Sequence, residues 1–192
     1  MSQHQISIAV AVVVVVAAIA VVAFLITRKR RSQALRERFG PEYDRVVRQE
    51  GNTSRGEEVL EFRAKRRDKF DIKLLSPSAQ AEFASRWSNL QPQFVDDPKG
   101  SVTRADELVT EIMRARGYPM GDFEQRAADI SVDHPVVVDN YRTAHNIALR
   151  HNAGQATTED LRKAMVHYRA LFEDLLGTPQ PDSLPLRKEA RG

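Results

Sequence analysis

A run of 22 residues, from Ile6 to Thr27, carries no charged side chain, and only Ser7 and Thr27 in it are polar. Nothing else in the 192-residue chain narrows its possible folds as strongly. As a helix at about 1.5 Å per residue the run would measure about 33 Å, close to the roughly 30 Å hydrocarbon core of a bilayer. A buried strand is the alternative, but strands usually stop by about 8 residues. The valine block Val12 to Val16 is a poor helix former in water. In hydrocarbon the backbone must satisfy its own hydrogen bonds, and helix prevails. A cleaved export signal needs a basic start and a polar segment after the cleavage site. Met1 to Gln5 has no fixed side-chain charge, and Ala18-Ile19-Ala20 is followed by further apolar residues. The run therefore predicts an uncleaved transmembrane helix over 6–27 behind a short N-terminus, 1–5.

The charges behind it set an orientation. Arg28, Lys29, Arg30 and Arg31 follow at once, with Arg36, Arg38, Arg45 and Arg48 further on, and no Lys or Arg precedes the run. Basic residues stay on the inner side of a membrane. A single-pass protein with its N-terminus outside and its C-terminal body in the cytoplasm is expected. The cluster Arg28 to Arg31 is expected to meet anionic lipid headgroups, at about 1 kcal/mol per residue near the surface. The same residues serve equally as a pure topology signal. Without these four, 25 basic residues face 26 acidic ones. A near-neutral body argues against a dedicated nucleic-acid binder, so no nucleic-acid partner is expected. Ser7 with Ala11, and Ala23 with Thr27, are small residues four apart, a spacing that lets helices approach each other. There is no cysteine, which excludes disulfides, thiolate metal sites and cysteine nucleophiles.

Downstream, helical periodicity repeats with marked ends. Leu35, Phe39, Tyr43 and Val46 fall at helical spacing, interrupted by Gly40-Pro41, with Pro41 suited to a first turn. Asn52 to Gly56 reads as a turn. The segment from Arg55 to Leu75 places Glu57 and Glu58 early and Arg63 to Lys69 late, as the helix dipole favours. Only Val59, Phe62 and Phe70 mark an apolar edge there, so the helix should be largely exposed. Ser76-Pro77 reads as a cap followed by proline at the first position. Phe83, Trp87, Leu90 and Phe94 then form the most aromatic stripe, expected at the centre of the core, with Pro92 expected to kink or end that helix early. Asp96-Asp97 read as caps. Val102, Ala105, Leu108, Val109, Ile112 and Met113 make the next buried face, closed by Gly117. Asp122 caps a short helix through Ile130. Another starts at Asp133-His134-Pro135 and carries Val137, Tyr141, Ala144 and Ala148. Thr157 caps the last, from Leu161 to Leu176, and Gly177 stops it. The fold class is all-α: a transmembrane helix followed by a multi-helix bundle.

Chemistry is sparse. The phosphate-loop, dinucleotide-binding, nucleophile-elbow, zinc-protease and EF-hand patterns are all missing from the sequence. His145 and His151 are six apart, out of phase for a shared metal on one helix, so no metal, cofactor or catalytic residue is assigned and no enzyme is expected. Two surfaces compete with that reading. Asp129, Asp133, His134, Tyr141 and His145 could line a ligand pocket or active site between helices. Arg63, Lys65, Arg66, Arg67 and Lys69 could form an interaction surface for lipid, nucleic acid or an acidic protein, or simply a solvated face.

The stretches LRERFGPEYDRVV, FVDDP, RGYPMGDFEQRAADISVDHP and YRTAHNIALRHNAGQATTEDLRKAMVHYRALFEDLL resemble a family of uncharacterised bacterial proteins with an N-terminal hydrophobic segment. The resemblance covers roughly residues 33–176. It implies a bacterial source, hence the inner (plasma) membrane, and a helical domain, and it assigns no active residues. The expected organisation is an N-terminus (1–5), a membrane helix (6–27), basic juxtamembrane helices (28–56), a helical domain (57–176) and a disordered tail (177–192). The expected role is a protein-interaction or assembly module whose partner is another protein or a second copy.

Overall fold

The computed structural model describes the backbone of residues 3–177 and the side chains from residue 15 onward. Among these residues the chain forms eight α-helices and no strand. It divides into two compact units, Met1–Leu60 and Glu61–Gly192.

The first unit is built on α1 (Gln3–Phe39) and α2 (Pro41–Glu50). Gly40, at φ 46°, turns the chain between them, and Pro41 opens α2. This left-handed backbone suits glycine, which has no Cβ to clash. Leu35, Phe39, Tyr43 and Val46 are buried, as their spacing predicted, together with Leu60 of α3 (Thr53–Arg67). The turn expected over 52–56 is helix instead. Asn52 Oδ1 accepts from the backbone N–H groups of Ser54 and Arg55 at 2.8 and 3.2 Å, so α3 starts at once behind that cap. Gly56 lies so close to α2 that a Cβ there would sit 2.9 Å from Val47 Cα. The buried edge of α3 is Leu60 and Ala64, while Phe62 is 67% exposed.

The transmembrane expectation is corrected. Among the described residues no helix is long and apolar enough to cross a membrane. α1 carries straight on from its apolar residues into Arg28 to Arg31, and charged side chains are costly to bury in hydrocarbon. Membrane location, single-pass topology and a cytoplasmic body all rested on that span and are unsupported with it. Val15, Val16, Ile19, Phe24 and Leu25 are exposed, and α1 continues unbroken through Arg28 to Arg31. Expectations for residues 1–5, for the side chains of 6–14 and for the tail beyond Gly177 lie outside the described residues.

The second unit holds the main core. Its helices are α4 (Pro77–Gln93), α5 (Pro98–Arg116), α6 (Phe123–Ile130), α7 (Val138–Asn152) and α8 (Thr158–Leu176). The caps fall where the sequence placed them. Ser76 accepts from Ala79 N–H, Asp97 from Gly100 and Asp122 from Gln125. Thr157 and Asp160 form a reciprocal capping box. Pro92 does not stop α4 early; it lies inside the last turn, and the helix runs on to Gln93. α7 begins at Val138, with the Asp133-His134-Pro135 stretch forming turns before it. α8 is the central element, packed against α4, α5 and α7. Its Leu161, Ala164, Met165, Tyr168, Leu171, Phe172, Leu175 and Leu176 are all buried. Trp87 of α4 stacks on Phe172, with ring centroids 4.6 Å apart.

Candidate functional site

Three groups of side chains in the second unit could carry chemistry. The first joins the ends of several helices. Arg116 is the last residue of α5 and only 9% exposed. Its Nη1 donates to Leu175 O at 3.1 Å and lies 3.2 Å from His134 Nε2, and its Nε donates to Lys73 O at 3.4 Å. A guanidinium can only donate, so His134 Nε2 must accept. The imidazole proton therefore sits on Nδ1, which bonds the Asp174 carboxylate. A His–Asp pair suggests a general base, but a base needs its free lone pair facing a substrate. Here that lone pair is occupied by Arg116. The histidine acts as a bridge between α5 and α8.

Beside it, Tyr118 donates to Asp133 Oδ2 at 2.7 Å, and Arg67 Nε also bonds that carboxylate. Burial, and then the adjacent Asp133 carboxylate, push the Tyr118 hydroxyl far above its ordinary pKa. Arg66 donates to Asp129 at 2.8 Å, Gln125 donates to the same oxygen at 2.9 Å, and Arg63 reaches Ser131 at 3.3 Å. Asp129 is 1% exposed. Of the predicted basic surface, Arg63, Arg66 and Arg67 thus turn onto the α6–α7 region, and Lys65 and Lys69 stay exposed. Of the other basic cluster, in the first unit, Arg28 donates to Ser54 at 3.3 Å, and Lys29, Arg30 and Arg31 are exposed.

The second group is internal. Tyr168 donates to Asp106 at 3.0 Å, and Arg126 donates to the Tyr141 hydroxyl at 3.2 Å. His145 lies flat on Phe123, ring centroids 3.6 Å apart. Burial lowers its pKa, against the opposing pull of Asp106. The five side chains expected to share a pocket therefore separate. Asp133 and His134 belong to the helix-end network, Asp129 is bonded by Arg66 and Gln125, and Tyr141 and His145 belong to this group. Among the described residues no group of His, Asp and Glu has the geometry to hold a metal ion.

The third group is an open groove of about 180 Å³ between α4 and α8. Trp87, Phe94, Met165 and Val166 supply its apolar lining, with Gln91, Arg162 and Arg169 beside them. Each arginine has an acidic neighbour on its own helix. Arg162 is held by both oxygens of Glu159, at 2.8 and 2.7 Å, and Arg169 by Glu173 at 2.7 Å. What distinguishes the groove is Trp87. It is 5% exposed, yet its Nε1–H is buried and has no acceptor among the described residues. Such a donor costs about 1–3 kcal/mol unless something bonds it. Val166, which lines the groove from α8, is 55% exposed. The sequence marked Trp87 as core, which its stacking bears out. It gave no hint of the unbonded N–H, because a stripe at helical spacing shows which face is buried and not what the indole nitrogen meets.

Some of the quoted stretches have a local structural role. FVDDP ends α4 and caps α5; RGYP closes α5; DFEQ caps α6. No family model, curated protein or solved structure matches the chain.

Proposed function

We propose that the second unit is a protein-interaction module that receives an extended apolar segment of another protein in the α4–α8 groove. The observation that carries this is the unbonded N–H of Trp87, a residue that lines the groove with the exposed Val166 and the half-buried Phe94. An extended segment offers unpaired carbonyls to such a donor and side chains to such a wall. Aromatic anchors in desolvated grooves contribute most of the energy at interfaces of this kind. The helix-end networks support the same reading, since their charged groups hold the scaffold together and His134 has no lone pair left to offer.

The test uses a photocrosslinking residue placed at position 166 of the full chain. Leu149, exposed to a similar degree on α7, is the control position. A discrete intermolecular adduct is expected from 166 and not from 149, and a second substitution, Trp87→Phe, should weaken it. No adduct from 166, or equal adducts from both positions, would overturn the proposal.

A further inference from the structure

The first unit contains a site of its own, independent of the α4–α8 groove. We propose that the pocket between α1 and the start of α3 binds a small zwitterion, its ammonium bonded to Glu57 Oε2 and its phosphate held by Arg28 and Ser54.

The pocket has a volume of about 340 Å³, and Phe24, Arg28, Ser54 and Glu57 are among its lining residues. Small-ligand sites have this size. The member that points to a ligand is Glu57. It is 4% exposed, and both of its bonds, from Ser32 at 2.6 Å and from Tyr43 at 2.7 Å, go to Oε1. Neither donor carries a charge. Oε2 has no partner among the described residues, and no described cation pairs with the carboxylate. A carboxylate withdrawn from water is costly unless a donor or a cation meets it. The pocket gives such a cation its way in.

The opposite charge stands one helical turn away. Ser54 and Glu57 are three apart on α3, and Arg28 and Ser32 are four apart on α1. Each pair therefore shares a helix face, with about 5–6 Å between Cβ atoms. Two rungs join the helices: Arg28 Nη2 donates to Ser54 Oγ at 3.3 Å, and Ser32 Oγ donates to Glu57. The guanidinium thus sits at one end of the pocket on a neutral hydroxyl, and the carboxylate sits at the other. An ammonium and a phosphate joined by a two-carbon chain match that separation.

Phosphate suits the arginine end. A guanidinium offers several donors to phosphate oxygens, and Ser54 adds a hydroxyl. Ser54 is also the second residue of α3, so the positive end of that helix dipole lies beside it. Phe24, 63% exposed, supplies an aromatic face for the ligand's carbons. A bare anion would bring a second negative charge towards Glu57, and a bare cation would meet Arg28, so a molecule carrying both charges fits better than either alone.

The probe is O-phosphoethanolamine, titrated into the full chain and followed by its own phosphorus resonance and by the backbone amides of Ser54 and Glu57. Saturable shifts are expected. Glu57→Gln keeps an acceptor for Ser32 and Tyr43 while removing the charge, and Arg28→Gln alters an exposed residue. Ellipticity verifies that both variants fold. Each should weaken the probe about tenfold, the weight of one charge-assisted hydrogen bond. Inorganic phosphate separates a zwitterion from a bare anion: it should bind the parent more weakly than the probe does, and it should gain affinity in Glu57→Gln. Should Glu57→Gln unfold, the parent's preference for the probe over phosphate decides. Vesicles of phosphatidylethanolamine, compared with phosphatidylcholine, whose ammonium has no N–H to donate, distinguish a lipid headgroup from a free compound. Binding of those vesicles that is lost in Glu57→Gln, with the free probe silent, assigns a headgroup; binding of the free probe assigns a soluble ligand. No saturable shift with either source would overturn the proposal. So would equal affinity of the parent and Glu57→Gln for the probe, which reduces the pocket to an arginine that attracts phosphate.

Discussion

At the scale of single residues, the four tyrosines share one situation. Tyr43, Tyr118, Tyr141 and Tyr168 are each 3% exposed or less. Burial is the largest cause raising the pKa of each hydroxyl, and a carboxylate adds to it: Glu57 at Tyr43, Asp133 at Tyr118, Asp106 at the other two. Glu57 itself is 4% exposed and accepts from Ser32 at 2.6 Å and Tyr43 at 2.7 Å. In the unfolded chain tyrosine ionises near about pH 10. Above that value the unfolded chain has released protons that the folded one retains, so stability falls as pH rises. Below it, these groups contribute no slope. Absorbance of phenolate near 295 nm should therefore stay low past pH 10 and then rise in one step, together with the loss of helical ellipticity. A gradual rise centred near pH 10 with the helices intact would show that the hydroxyls are accessible after all.

At the scale of helices, local signals and distant ones fare differently. Ser76, Asp97, Asp122 and Thr157 cap where the sequence placed them because a cap is complete within four residues. What the basic side of α3 meets was not legible. Arg66 bonds Asp129 and Arg67 bonds Asp133, carboxylates more than sixty residues away, and no periodicity records them. Charged residues in that stretch therefore read as a solvated surface. Arg66 is partly solvated while Asp129 is not, at 34% and 1% side-chain exposure. Removing the arginine leaves a buried carboxylate with Gln125 as its remaining bonded neighbour. Arg66→Met should destabilise the second unit by about 2 kcal/mol, below the roughly 3–5 kcal/mol of a fully buried pair. Asp129→Asn in that background should recover part of the loss, since an uncharged amide is cheaper to bury. Denaturant titration of the two variants and the double variant measures both terms. Additive losses would mean that the two side chains act independently.

At the scale of the whole molecule, the all-α class followed from helical spacing and caps repeated along the body, while the division at Leu60 did not, because α3 runs through it without a break. Nor did the sequence reveal the groove, which exists only once α4 and α8 lie side by side. The division has a measurable consequence. The core cluster of the second unit draws its residues from Phe83 to Leu176, and none of them from the first unit. The first unit depends instead on Leu35, Phe39, Tyr43, Val46 and Leu60. Val46 is 1% exposed, and a carboxylate placed there has to be buried unpaired or expelled, at a cost of several kcal/mol. So small a core cannot absorb that, and Val46→Asp should open the α1–α2 corner. Trp87 emission reports the second unit alone, whereas ellipticity reports all helices. Part of the ellipticity should be lost at ambient temperature. The Trp87 transition should keep its midpoint to within about 0.5 kcal/mol, as separate cooperative units require. If the Trp87 midpoint falls together with the ellipticity, the chain folds as one cooperative body and the boundary at Leu60 has no energetic meaning.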